Sequence, residues 1–196
     1  MILGGGDGGL LKELLELPKG QVPSFVTMVD IDGMVMDACA EFMPNVCGKY
    51  LKRIHWDGDN YKVINGCAIQ FMKDCLVFFF EHQRALLVHC YFLQAKGKQF
   101  DYIMGDLTDT PISTKPRDED LWNFLSTILD LAMKVLKPVT GRYLTHCNGV
   151  NVPESIKAYE NVLSKICGGK CSFTKTKCYV KSFFETWVFY QITRCA

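Results

Sequence analysis

The sequence predicts an α/β fold, a doubly wound and mostly parallel Rossmann-like sheet, on three observations. An apolar fragment, Met1-Ile2-Leu3, runs straight into a glycine cluster, Gly4-Gly5-Gly6-Asp7-Gly8-Gly9, which opens a helical segment at residues 10–17. Strand-like and helix-like segments then alternate along most of the chain, as a sheet with crossover helices requires. Two strand-like segments follow one another at the end, residues 170–180 and 186–193, and predict an antiparallel hairpin.

Each element has its own signal. Met1 to Leu3 reads as the end of a buried strand, and SFVTMVD at residues 24–30 as a second strand after the turn between Pro18 and Pro23. Residues 34–43 read as a helix, residues 61–64 as a short strand and residues 67–73 as the start of another helix. FDYIMG at residues 100–105 reads as the fourth strand, ending in Asp106. Residues 118–136 carry apolar side chains at helical spacing, with acids at the start and Lys134 and Lys137 at the end, which matches the helix dipole. Residues 141–147 read as strand and residues 153–166 as helix before the closing hairpin, a tail common in methyltransferase-like versions of this fold.

Composition bounds the function. At 196 residues, 48% hydrophobic and 22% charged, the chain reads as one globular domain over residues 1–196. With 22 basic and 21 acidic residues the net charge is +1, so bulk charge points to neither nucleic acid nor a membrane surface. The most apolar run, residues 76–93, is broken by Glu81-His82-Gln83-Arg84 and does not read as a membrane span. Ten cysteines without a secretory signal lie in apolar runs, which predicts free, buried thiols and a reducing cytosol. Cys167 and Cys171, or His82, His89, Cys90, His146 and Cys147, lack the paired spacing of a zinc site, and no metal is expected.

The glycine cluster carries the chemistry. Gly4, Gly6 and Gly9 fit the spacing of a nucleotide-binding strand-loop-helix turn, where absent side chains let a ligand approach backbone N–H groups. A helix N-terminus there attracts anions, yet Asp7 puts a carboxylate where a pyrophosphate would lie. The loop therefore suits a cation, a sulfonium or an ammonium, better than NAD. Further acids fall after strands: Asp30 and Asp32 after the second, Asp106 and Asp109 after the fourth, and Glu185 before the last. Singly, such acids are as often caps or solvated loop charges. Together the topology expects them on one rim, with Asp30 placed to accept from ribose hydroxyls and Asp7 and Asp106 beside the reacting end of a cationic ligand.

In order along the chain, Ile2-Leu3-Gly4-Gly5-Gly6-Asp7-Gly8-Gly9, Met28-Val29-Asp30-Ile31-Asp32, Asp101-Tyr102, Asp106-Leu107-Thr108 and Pro111-Ile112-Ser113 resemble the aminopropyltransferases. Asp106-Leu107-Thr108 with Pro111-Ile112-Ser113, and the ending Phe184-Glu185-Thr186-Trp187-Val188-Phe189-Tyr190, are similar to the spermine-forming members rather than the spermidine-forming ones. The resemblance implies aminopropyl transfer from decarboxylated S-adenosylmethionine, a co-substrate, to spermidine, giving spermine and methylthioadenosine without a cofactor. It implies roles as well: Asp106 as proton acceptor, Asp7 holding amine groups, Asp30 binding ribose beside Gly4, Gly5 and Gly6, Gly66 and Cys67 next to adenine, Phe183 and Glu185 at spermidine.

Some positions depart from the family's pattern. Cys67 stands where an acid usually receives adenine, Phe183 where a tyrosine is expected, and Asp30 where glutamate is usual. The family implies a homodimer formed through an N-terminal domain, and a substrate-covering hairpin region. On this reading both lie before Met1, and the chain begins inside its central strand. Residues 74–94 have no counterpart; Leu76 to Phe80 and Leu86 to Val88 are too apolar for a surface loop, and the segment reads as a translated intron whose end, Tyr91-Phe92-Leu93-Gln94, a pyrimidine-rich tract and CAG can encode. Two other readings stay open: a catalytically impaired form that acts as a ligand-binding module, and a spermidine synthase or another adenosylmethionine-type transferase.

Overall fold

The computed structural model describes residues 1–76, 98–107, 110, 112 and 120–194. They fold as a Rossmann-like α/β structure whose chain divides into two compact units, Met1–Phe71 and Met72–Ala196. Among the described residues no helix is long and apolar enough to cross a membrane. Residues 77–94, which hold most of the segment expected to be a translated intron, and Thr108, Asp109, Pro111, Ser113 and Asp118 lie outside the described residues.

In the first unit, β1 (Ile2–Gly4), β2 (Val26–Asp30) and β4 (Tyr61–Asn65) are parallel in the order β4-β2-β1, and the short β3 (Asp57–Gly58) adds antiparallel to β4. β-Branched and apolar residues in VTMVD suit a strand buried on both faces, and all but Asp30 are buried. α1 (Gly9–Leu15) follows the glycine loop. α2 (Gly33–Phe42) starts at Asp32, whose side chain accepts from the N–H groups of Met34 and Val35, both at 3.0 Å. The core of this unit is Ile2, Leu11, Met28, Met36, Cys47 and Leu51 with their neighbours. A four-residue helix, α3 (Pro44–Cys47), and β3 carry too few residues for a periodic signal, and neither is expected from the sequence.

α4 (Ala68–Leu76) includes Asp74, Cys75 and Leu76, so the helix expected from residue 67 runs three residues beyond Lys73. In the second unit β5 (Tyr102–Asp106) and β6 (Arg142–Gly149) are parallel, and β8 (Glu185–Arg194) runs antiparallel to β6 and to β7 (Cys171–Val180), giving the order β5-β6-β8-β7. The expected C-terminal hairpin is thus present. β7 is an edge strand, exposed along most of its length and bearing Lys175 and Lys177 between Lys170 and Lys181. α5 (Asp120–Val135) buries Leu125, Ile128, Leu129 and Ala132. α6 (Pro153–Leu163) ends three residues before the expected Ile166, which falls in a 3-10 turn where Cys167 and Gly168 take left-handed backbone conformations that no α-helix continues.

The described cysteines are free, but the expectation that they are buried needs correction. Cys39, Cys47, Cys75 and Cys147 are buried, whereas Cys67 and Cys178 are exposed. Cys67 precedes α4, its carbonyl accepting from Phe71 N–H at 2.9 Å, and Cys178 lies on the edge strand, so neither apolar neighbourhood in sequence becomes a core position. Burial pushes the thiols of Cys75 and Cys147 up to about 11, which keeps them protonated.

Candidate functional site

The glycine loop is built around its acid. Gly4, Gly5 and Gly8 have positive φ, and Gly8 N–H donates to Gly5 O at 2.8 Å to close the turn into α1. Asp7 is exposed, and its Oδ1 accepts from Gly9 N–H at 2.8 Å. The carboxylate is therefore tied to the N-terminus of α1, the place a ligand phosphate takes in a dinucleotide-binding turn. Gly8 has a packing reason besides its φ, because a Cβ there would come within 2.8 Å of Cys47 and Leu51.

Asp30 is half-buried at the end of β2. Its Oδ1 accepts from Asp32 N–H at 2.7 Å, and a Cβ on Gly6 would come within 2.9 Å of its Oδ2. The Asp30 carboxylate thus takes the space that a side chain at Gly6 would need. Asn65, at the end of β4, donates through Nδ2 to Asp30 O at 3.2 Å and to Ile31 O at 2.9 Å, while Gly66 N–H donates to Asp30 O at 2.8 Å. Asn65 thus positions the acid-bearing turn, and an asparagine ending a strand just before glycine is the signal that could have marked it. Cys67 stands beside it with an exposed thiol.

In the second unit Asp106 is half-buried at the end of β5. Gly105 before it must lack a side chain, because a Cβ would overlap the Tyr143 hydroxyl, and Thr145 Oγ1 donates to Gly105 O at 3.1 Å. Tyr143 is buried and its hydroxyl is held protonated well above the usual phenol range by that burial. A small cleft lined by Gly105, Leu107, Thr110, Tyr143, Thr145 and His146 adjoins the strand end. Buried Asn148 donates through Nδ2 to Thr110 O and to Ser155 Oγ, both at 2.8 Å, and so fixes the described part of the segment after Asp106.

Glu185 and Phe183 lie in this unit too. Glu185 Oε1 accepts from Asn151 N–H at 3.2 Å. Phe183 is exposed and stacks on Trp187 with ring centroids 4.4 Å apart and planes 19° apart; Trp187 meets His146 edge-on at 5.6 Å. The Trp187 indole N–H is buried with no hydrogen-bond partner among the described residues. Neither Trp187 nor Asn148 is among the site residues expected from the sequence; the only signal was an aromatic two residues past Glu185. Among the described residues no group of three His, Cys, Asp or Glu side chains could hold a metal ion.

The sequence profile of the spermine/spermidine synthase domain matches residues 1–195. The chain belongs to the spermine/spermidine synthase domain family. A polyamine aminopropyltransferase of Korarchaeum cryptofilum (strain OPF8) is 24% identical over 189 residues, covering 96% of this chain and 47% of that relative. The chain spans about half the length of that family member. Among solved structures, a spermidine synthase in complex with the transition-state analogue AdoDATO matches all of this chain and 54% of its own with a TM-score of 0.65 at 17% identity. An O-methyltransferase from Bacillus cereus in complex with SAH matches 98% of this chain and 73% of its own with a TM-score of 0.52 at 14% identity. These two similarities establish the fold, and the match along residues 1–195 establishes the family.

Proposed function

We propose that this member of the family works as a spermine synthase, moving an aminopropyl group from decarboxylated S-adenosylmethionine to spermidine and releasing methylthioadenosine. The observation that carries the reading is Asp7. Its carboxylate, bound by Gly9 N–H, occupies the anion-binding end of α1 and favours a ligand whose reacting end is cationic. A sulfonium donor and a polyamine both meet that requirement; a pyrophosphate does not.

The reaction joins the acceptor nitrogen to the carbon beside sulfur while the carbon–sulfur bond breaks and its electron pair stays on sulfur. The attacking amine must be neutral, yet an alkylamine has a pKa of about 10.4 and is mostly protonated near neutral pH. On this reading Asp106 takes the proton, Asp7 orients the amine groups, and Asp30 binds the ribose hydroxyls. Glu185 pairs with the distal ammonium, with the Phe183 face beside the polyamine chain. The leaving thioether is neutral, so the residues need only bind, orient and accept one proton.

A putrescine acceptor is another reading, favoured by a spermidine synthase of Dictyostelium discoideum that is 32% identical over 109 residues. A binding module without turnover is the second reading carried from the sequence, favoured by the thiol of Cys67 beside Asn65 and Gly66, where an acid would serve adenine better. One assay separates them: the purified chain with decarboxylated S-adenosylmethionine, offered spermidine and putrescine in parallel. Spermine formation at the higher kcat/KM supports the proposal. Preference for putrescine overturns the acceptor, and binding without turnover overturns the catalysis.

A further inference from the structure

A glutamate has several rotatable bonds before its carboxylate, so an ammonium anchor at position 185 must be held by its surroundings to bind well. Gly149, buried at the end of β6, does this by what it lacks. A Cβ built on Gly149 would overlap the carboxylate carbon and both carboxylate oxygens of Glu185. The carboxylate fills the volume that any side chain at position 149 would need. Two residues on, Asn151 N–H donates to Glu185 Oε1 at 3.2 Å, and between them Val150 N–H donates to Thr186 O at 2.8 Å, which ties this stretch to β8.

The β6–β8 ladder explains why Gly149 reaches that place. His146 pairs with Phe189 and Gly149 with Trp187, so three steps along β6 meet two along β8. One extra residue on a strand bends it and re-aims the side chains beyond the bend. Asn148 sits in this irregular stretch and is pinned by its bonds to Thr110 O and Ser155 Oγ, which hold the bend in one form.

We propose that Gly149 is a positioning residue: its bare Cα and the Asn151 N–H form a seat that fixes the Glu185 carboxylate and sets affinity for the cationic end of the acceptor. The inference rests on the acceptor role proposed above for Glu185. Backbone conformation is not the reason for glycine here, since Gly149 is not among the glycines with positive φ, and alanine suits its backbone. The clash falls on the far end of a flexible side chain, which can rotate away at small cost to the fold. Alanine at 149 therefore leaves the protein folded and moves the carboxylate.

Two readouts on the full chain test this. In 15N-labelled protein, Gly149→Ala should shift the Asn151 amide resonance as Glu185→Ala does, because each removes the same hydrogen bond. In initial-rate assays with decarboxylated S-adenosylmethionine, Gly149→Ala should raise the spermidine KM about tenfold while kcat falls less than about threefold and the donor KM holds, the pattern of lost acceptor binding. An unshifted Asn151 amide overturns the seat whatever the activity. A shifted amide with an unchanged spermidine KM overturns its role in acceptor affinity. Absence of turnover in the unsubstituted chain would overturn the functional reading alone, and the amide shift would still decide the seat.

Discussion

The Asp30 carboxylate rests against the bare Cα of Gly6, so close that a methyl group there would come within 2.9 Å of Oδ2. Gly6 has no positive φ, so its glycine is needed for space and not for backbone freedom. Gly6→Ala should therefore push the carboxylate off its place and weaken binding of the adenosyl ligand about tenfold, near 1.4 kcal/mol. Titration calorimetry with methylthioadenosine measures this directly; unchanged affinity would separate Asp30 from the ribose.

Asp106→Asn keeps the size and removes the proposed proton acceptor. General base catalysis is worth roughly 10² to 10⁴ in rate, and kcat should fall by about that much. Acceptor and donor affinities should change little. A variant with near-normal turnover in a steady-state assay would end the assignment.

Cys67→Asp puts an acid at the position proposed to lie beside adenine. Cys67 is exposed and precedes α4, where aspartate is a favoured first residue, so the fold should not suffer. One regained hydrogen bond is worth about 1 kcal/mol, and the donor KM should drop several-fold. Initial rates at varied donor concentration test it.

Asn148→Ala removes the donor shared by Thr110 O and Ser155 Oγ in a buried place. A buried carbonyl left unpaired costs about 1–3 kcal/mol, and the urea midpoint should fall accordingly. Because Asn148 holds both the segment after Asp106 and the stretch before Gly149, kcat and the acceptor KM should worsen together, unlike in the Gly149 variant.

Tyr190→Phe tests a charge on α6, the Glu160 carboxylate, that the hairpin holds. Burial pushes the Glu160 carboxyl up, but hydrogen bonds from Lys175 and Tyr190, both at 2.7 Å to Oε1, outweigh it and hold the pKa below the usual range. A depressed carboxylate stabilises the fold above its unfolded pKa, and that contribution is lost as pH falls through the folded value. The variant should lose about 1 kcal/mol at neutral pH, with the gap narrowing in acid. Urea unfolding at the two pH values shows whether it does.

The long elements were legible because their periodicity is strong. β2, α2, α5 and the β7–β8 pair sit within a residue or two of where apolar spacing and caps put them, since burial of those same side chains is what forms them. α3 and β3 were not, being too short to show a period. Asp30 and Asp106 close β2 and β5, Glu185 opens β8, and Asp7 follows the end of β1 by three residues, in the loop before α1. Their supports were harder to read, Asn65 before Gly66 being the one with a local signal. Gly6, Gly149 and Asn65 act on residues 24, 36 and 34 or more positions away, and which side chain fills a glycine's empty space depends on register across strands, which no local pattern encodes.

β7 has a consequence of another kind. Its ten residues, at roughly 3.3 Å each, present a long row of outward N–H and C=O groups that no described strand covers. Such a row is a template for fibre-like association between molecules during expression or storage. Lys177, with Lys170 and Lys181 at the strand's ends, makes two copies that approach edge to edge repel each other. The lysines of the last hairpin thus guard the colloidal behaviour of the chain, and a surface redesign that neutralises them to ease crystallisation would invite precipitation.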